Sequence, residues 1–547
     1  MGVIADEDLW GFSEGTHPTA YRFMGAHPIP AGRGFRFHVW APDAANVDVV
    51  GDFNGWSTGA HRAFPVGSSG IWTCDVREAA EGQRYKYRLH LKDGTWIDKA
   101  DPYGAMHDQP PSNASVLYAT RHRWRDGRWM SRRAAANPWA SPVSIYEVHL
   151  GSFTRDLDEG PLYRAVARRL VEHVVALGFT HVELLPVMEH PFYGSWGYQV
   201  TGYFAPTSRY GTPDDLRYLI DTLHQAGVGV ILDWVPAHFP GDEHGLARFD
   251  GTALYEHADP RRGWHPDWGT HIFNFGRNEV RSFLLSSADY WLSEFHADGL
   301  RVDAVASMLY LDYSREADAW IPNEHGGNEN LEAISLLRTL NEQTHARHPG
   351  VLMVAEESTA WGGVSRPTST GGLGFGFKWD MGWMHDTLKY LARDPIHRRY
   401  HHGELTFRSV YANSENFVLA LSHDEVVHGK GSLPRKMPGD EWQRYANVRL
   451  LFSWQFAQPG KKLQFMGMEL AQWEEWAHEG ELAWRSLDDT KHAGALALVA
   501  ALNKLYRAMP TLHETDHEPG RTSTSQGDGD VGVLVIERHG RGADDAP

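Results

Sequence analysis

The chain has 547 residues, with 52 Lys and Arg against 70 Asp and Glu and a formal net charge of −18. That length exceeds one ordinary core and predicts roughly two to four domains, while the acidity argues against nucleic acid or an anionic membrane as partner, since both are held by clustered Lys and Arg. A single cysteine, Cys74, excludes an intrachain disulfide, and the absence of a signal-type leader or any membrane-length apolar run gives the expectation of a cytoplasmic protein. The 22 Trp, 21 Tyr and 23 Phe favour a saccharide ligand, because flat ring faces pack against the C–H faces of sugars.

In chain order, residues 33–100 alternate apolar and polar with period two, as in Phe35-Arg36-Phe37-His38-Val39-Trp40 and Tyr85-Lys86-Tyr87-Arg88-Leu89, and are punctuated by Gly, Pro and Asp. This predicts a small β-sandwich within residues 1–125. Its Trp56, Trp72 and Trp96 are candidates either for sugar contact or for core packing. Residues 126–140, arginine-rich ahead of Asn137-Pro138, read as a charged linker.

From Ser144 onward apolar strand candidates alternate with helical periods. The strands are expected at 144–150, 181–187, 228–235, 299–305, 351–355, 374–379, 417–421 and 462–466, the sixth blurred by glycines at 371–376. Strands alternating with amphipathic helices over 141–510 predict a (β/α)₈ barrel, an α/β fold, rather than an open doubly wound sheet. The stretch 236–277 is too long for a turn; carrying His238, His244, Tyr255, His257, Trp264, His265 and Trp268, it reads as an excursion over the barrel mouth. Residues 511–530 turn polar, with a low-complexity patch at 523–530, before a last lone strand-like run at 532–536.

Active sites of such barrels lie at the C-terminal ends of the strands. Those positions hold Asp233 and His238 after the third strand, Arg301 and Asp303 on the fourth, Glu356 or Glu357 after the fifth, and His423 with Asp424 after the seventh. Arg301 and Asp303, two apart on a strand, face the same side, so the guanidinium is expected to hold Asp303 ionised. One ionised and one protonated carboxyl are what retaining glycosidic cleavage uses. Asp303 suits the nucleophile and a glutamate after the fifth strand the acid/base. His238, His423 and Asp424 would bind sugar hydroxyls, the histidines as neutral rings. No His-Glu-x-x-His, paired cysteines, calcium loop or phosphate loop is present, so neither metal nor cofactor is expected.

Together these motifs resemble the α-amylase superfamily of glycoside hydrolases and transglycosylases. The similarity lies in Asp233-Trp234-Val235-Pro236-Ala237-His238, in Gly299-Leu300-Arg301-Val302-Asp303-Ala304-Val305, in Val354-Ala355-Glu356-Glu357-Ser358-Thr359 and in Leu421-Ser422-His423-Asp424-Glu425. Within it, Gly194-Ser195-Trp196-Gly197-Tyr198-Gln199-Val200-Thr201-Gly202-Tyr203 and His423-Asp424-Glu425-Val426-Val427-His428-Gly429-Lys430 look most like bacterial 1,4-α-glucan (glycogen) branching enzymes. Gly51-Asp52-Phe53-Asn54-Gly55-Trp56 is similar to the carbohydrate-binding module that precedes their barrels.

The resemblance implies Asp303 as nucleophile, Glu356 as proton donor and Glu357 as structural. It also implies Asp424 with Asp233, His238, Arg301 and His423 around the donor glucose, and Tyr198 as the ring on which that sugar stacks. The implied activity is to cut an α-1,4-glucan chain and pass the fragment to a 6-hydroxyl, by a monomer that needs no cofactor. The alternatives are a debranching or trehalose-releasing hydrolase and an inactive glucan-binding protein. The resemblance runs from residue 8 to about 515. Family members continue into a C-terminal β domain, of which 511–547 is expected to be a short or truncated remnant.

Overall fold

The computed structural model describes residues 4–30, 32–155, 157, 160–526 and 532–542. The front unit is a sandwich of two antiparallel sheets. One contains Gly25–Pro28, Phe35–Trp40, Ile71–Val76 and Phe64–Pro65, and the other Asn46–Gly51, Arg84–His90 and Trp96–Lys99, with Ser115–Val116 added at Arg84–His90. The period-two pattern does its expected job: Tyr85, Tyr87 and Leu89 are buried while their neighbours are not, and Phe37 meets the Tyr85 ring edge-on at 5.1 Å. Of the loop tryptophans, Trp72 packs half-buried and donates to the Ala41 carbonyl at 2.9 Å. Trp96 is exposed, with the Arg88 guanidinium 4.0 Å above its ring.

The barrel is closed and all parallel. Its strands are β1 (Ser144–Val148), β2 (His181–Leu184), β3 (Gly229–Trp234), β4 (Gly299–Val302), β5 (Leu352–Ala355), β6 (Phe377–Trp379), β7 (Phe417–Leu421) and β8 (Lys461–Phe465). Around it stand α1 (Leu162–Leu177), α2 (Pro213–Gln225), α3 (Asn278–Glu294), α4 (Leu331–Arg347), α5 (Met381–Ala392), α6 (Glu441–Ala457) and α7 (Thr490–Ala508). Start signals set the helix ends: Thr212 caps α2 in a reciprocal box with Asp215, with Pro213 in its first turn. The link from β5 to β6 has no α-helix. Glu415 straps it down instead, accepting from the backbone N–H groups of Gly363, Val364 and Ser365 at 2.7, 2.9 and 2.7 Å.

The structure departs from the sequence expectation in two parts, the linker and the C-terminal run, and gives the excursion over the barrel mouth its internal form. The charged linker contains a helix, Gly127–Ala135, docked on the N-terminal end of the barrel: Trp129 donates to Asp298 Oδ1 at 2.8 Å and Arg133 to the Ala297 carbonyl at 2.9 Å. The excursion at 236–277 folds as a small antiparallel sheet of His238–Phe239, Thr270–Ile272 and Trp264–His265. The run at 532–536 is no lone strand, because Leu534–Arg538 pairs with Thr522–Gln526, a Ser/Thr run with strand propensity but no apolar signal. The low-complexity patch falls partly on 527–530, outside the described residues. Among the described residues no helix is long and apolar enough to cross a membrane.

Candidate active site

A cavity of about 440 Å³ opens at the C-terminal ends of the barrel strands, and Tyr198, His238, Arg301, Asp303, Glu356, His423 and Asp424 all line it. Strand register does much of the placing. Asp233 of β3 pairs with Arg301 of β4, and β4 ends at Val302, so Asp303 stands one residue past the strand with its N–H on the Trp234 carbonyl at 2.9 Å. Ala304 follows in the left-handed region at φ 52°, a strained setting for a residue with a Cβ. That turn aims its N–H at Glu356 Oε2, 2.7 Å away. Gly197 sets the opposite wall: at φ 96° a Cβ there would lie 2.2 Å from the Pro186 carbonyl oxygen, so only glycine lets Tyr198 follow in this position.

One guanidinium organises the carboxylates. Arg301 Nη1 donates to both oxygens of Asp233 at 2.8 Å and to Asp303 Oδ1 at 2.7 Å, while Nη2 lies 3.1 Å from Glu356 Oε2. Arg301 is 1% exposed; burial opposes its charge, but Asp233 and Glu356 hold its pKa well above normal. Asp233 does not line the cavity. It lies fully buried behind the wall, bonded by Arg301 and by the Tyr198 hydroxyl, which donates to its Oδ2 at 2.6 Å. Asp233 thus anchors two residues that line the cavity.

Two electrostatic expectations are corrected. Asp303 is not held low: burial pushes its pKa well up, Arg301 pulls it down, and Glu356, Asp233 and Asp424 push it up again. One guanidinium shared by three carboxylates leaves part of their mutual repulsion uncompensated, while its direct bond to Asp303 Oδ1 favours the Asp303 anion. His423 is not neutral: burial alone would lower it, but Asp424 and Glu147 outweigh burial and push it up to about 9. His238 does behave as expected. Burial, with His265 beside it, lowers it to about 3, which keeps the ring neutral. Asp424 is depressed despite burial by His423 and Arg301, and is an anion.

The cavity also gathers residues that strand-end reasoning passed over. Trp196 stacks on His428, with centroids 5.1 Å apart, on one wall. Trp268, reaching in from the excursion, lies on His265 at 3.7 Å on the other. Glu147 and Glu183, each completely buried, sit opposite one another on β1 and β2 below the site. Their signal was present in the sequence as carboxylates inside runs that otherwise read as buried apolar strand.

Comparison with known proteins agrees with this architecture. Residues 23–104 match the family of carbohydrate-binding module 48 (isoamylase N-terminal domain), and residues 165–265 the α-amylase catalytic domain. The fold is shared with the pullulanases of Bacillus acidopullulyticus and Paenibacillus barengoltzii. Their TM-scores are 0.71 and 0.69 at 19% identity, over 93% and 92% of this chain and 66% and 83% of theirs. Much closer in sequence is the 1,4-alpha-glucan branching enzyme GlgB of Albidiferax ferrireducens, 55% identical over 98% of this chain and 86% of its own length. The enzyme of the same name from Rubrobacter xylanophilus is 56% identical over 99% of this chain and 76% of its own length. Identity of this depth along both domains makes the chain a member of the 1,4-alpha-glucan branching enzyme (GlgB) family.

Proposed function

We propose that the cavity cuts an α-1,4-glucan chain and transfers the fragment to a glucan 6-hydroxyl, creating an α-1,6 branch. The Asp303 carboxylate attacks the anomeric carbon as Glu356 gives its proton to the departing 4-oxygen; one C–O bond forms while the glycosidic C–O bond breaks. Glu356, now ionised, then takes the proton of the acceptor 6-hydroxyl. That oxygen displaces Asp303, and both carboxyls return to their starting states. Among the described residues the donors to Glu356, the Arg301 nitrogen and the Ala304 N–H, meet Oε2, which leaves Oε1 to carry the proton. Asp424, His423 and neutral His238 bind hydroxyls of the donor glucose, and Tyr198 presents its ring. We assign glucan capture also to the front sandwich, and action inside the cell, where Cys74 stays reduced and buried.

The observation that carries this reading is the sharing of one guanidinium by Asp303 and Glu356 in a chain 55% identical to a named branching enzyme. Such sharing favours the short spacing of a retaining pair, about 5–5.5 Å, over a pair with a water between them. The test is incubation with amylose, following iodine colour, reducing ends and α-1,6 proton signals. Falling colour with new α-1,6 linkages and few new reducing ends is expected. Rising reducing ends would make the chain a hydrolase, and no change from folded protein a glucan-binding protein.

A further inference from the structure

His423 is held from below as well as from the cavity. The Glu147 carboxylate of β1, with a side chain 1% exposed, accepts the His423 backbone N–H at 2.9 Å through Oε2 and faces Nδ1 at 2.6 Å through Oε1. On the other side of the ring, Nε2 lies 3.3 Å from the Tyr198 hydroxyl. That hydroxyl has one proton, and it is committed to Asp233 Oδ2 at 2.6 Å. The Tyr198 oxygen can therefore only accept from Nε2, and Nδ1 faces a carboxylate. Both contacts are hydrogen bonds only if both ring nitrogens carry hydrogen.

The surrounding charges are consistent with a positive ring. Asp424 Oδ1 is 3.6 Å from Nε2. Arg301 across the floor opposes a second cation, but its charge is already shared among Asp233, Asp303 and Glu356. His149, buried nearby, is lowered to about 3 by burial and adds no charge. Glu183, opposite Glu147 on β2, has both carboxyl oxygens buried with no hydrogen-bond partner among the described residues. Burial, Glu147 and Asp233 push it well up, so it stays neutral and leaves Glu147 as the floor carboxylate that pairs with the ring.

We propose that Glu147 is a positioning residue that keeps His423 positively charged, so that its Nε2–H is a fixed donor at the cavity wall beside Asp424. The charge holds Asp424 as an anion and gives the donor glucose a charge-assisted hydrogen bond, stronger than a neutral ring offers. This deepens the transglycosylase reading and rests on it for the sugar contact, though not for the state of the ring.

The test is Glu147→Gln. The amide oxygen can still accept the His423 N–H and its NH₂ can donate to Nδ1, so the hydrogen bonds persist while the ring becomes the neutral Nε2–H tautomer. On amylose, kcat at neutral pH is expected to fall about 10²-fold. The alkaline step that His423 adds to the wild-type profile near pH 9, a limb separate from the one set by deprotonation of Glu356, should vanish, while Glu147→Asp, which keeps a carboxylate, retains it. Glu183→Gln, the isostere of a neutral acid, should leave the limb in place. Ring ¹⁵N NMR reads the charge without substrate: the histidine signal lost in His423→Asn is expected to be doubly protonated at neutral pH in wild type and neutral in Glu147→Gln. Wild-type kcat and limb in Glu147→Gln would overturn the proposal, as would a neutral His423 in wild type, which decides the matter even if the variant fails to fold. A wild type that does not branch but keeps a charged His423 would sink the proposed function and leave this inference standing.

Discussion

Lys378 Nζ lies 2.6 Å from Glu357 Oε2, and this bond separates the roles of two adjacent glutamates. Glu357 also accepts the Thr359 N–H at 2.7 Å and is buried outside the cavity, whereas the Glu356 side chain is 23% exposed and lines it. Successive residues leaving a strand point to opposite sides, so only one of the pair can face the sugar. Glu356→Gln is expected to lower turnover by about 10²–10⁴-fold with an unchanged melting curve. Glu357→Ala leaves Lys378 buried and unpaired and should cost about 3–5 kcal/mol of stability, while protein that remains folded still turns over. Denaturant titration beside the branching assay checks both, and the opposite pattern would exchange the two roles.

Arg301→Lys tests whether the site needs a charge or a fork. A lysine carries one compact charge on a flexible stem and cannot reach Asp233, Asp303 and Glu356 along the directions that Nη1 and Nη2 use. Turnover should fall by at least about 10²-fold, and buried Asp233, left with Tyr198 alone, should make the variant melt lower. Near-normal kinetics with lysine would mean that net charge alone organises the carboxylates.

The fold was legible because the barrel strands are short buried runs separated by amphipathic helices, and the site because its chemistry clusters at their C-terminal ends. What stayed hidden depends on three dimensions. That Arg301 lies near Asp303 follows from a spacing of two, but that it also binds Asp233 depends on the pairing of β3 with β4. The upward shift of Asp303 comes from burial and from carboxylates on other strands, and the charge on His423 from its neighbour Asp424 together with Glu147 on β1. The docked helix at Gly127–Ala135 was obscured because its arginines and Trp129 read as solvated until Asp298 and the Ala297 carbonyl supply partners. The C-terminal hairpin lacks the apolar alternation by which the front sandwich declares itself.

Trp268 lies flat on His265, with ring centroids 3.7 Å apart and planes 9° from parallel, and lines the cavity beside His238, whose ring centroid is 4.8 Å away. His265 is lowered to about 4 by burial, and neither ring nitrogen has a hydrogen-bond partner among the described residues, so it acts as a neutral underlay for the indole. A platform of this kind binds ground state and transition state alike. Trp268→Ala is therefore expected to raise KM for amylose about tenfold with a smaller change in kcat. A loss confined to kcat would instead make Trp268 part of the transition-state contacts.

At the closed end of the barrel, His224 presents Nδ1 to Asp126 Oδ2 at 2.9 Å and Nε2 to Asp298 Oδ2 at 2.8 Å, which requires an imidazolium between two anions. Burial opposes that charge, but Asp298 and Asp126 outweigh it and push His224 up to about 9. Asp298, despite burial, is held down to about 2, chiefly by His224. The raised histidine stabilises the fold fully below its unfolded value of about 6.5, and this is lost as pH rises through 9. The depressed Asp298 stabilises above its unfolded value of about 3.9, and this is lost as pH falls towards 2. Their joint contribution peaks between about pH 4 and 6.5. Wild type should thus lose on the order of 3 kcal/mol between pH 6.5 and 9.5. His224→Asn removes that slope and, by leaving two buried carboxylates short of a partner, costs about 3–5 kcal/mol near pH 6. Because other groups titrate in the same range, the informative quantity is the difference between the two stability profiles. A variant as steep as wild type would show that His224 is not charged in the folded protein, whereas kcat should not change in either case, because the cavity lies at the opposite end of the strands.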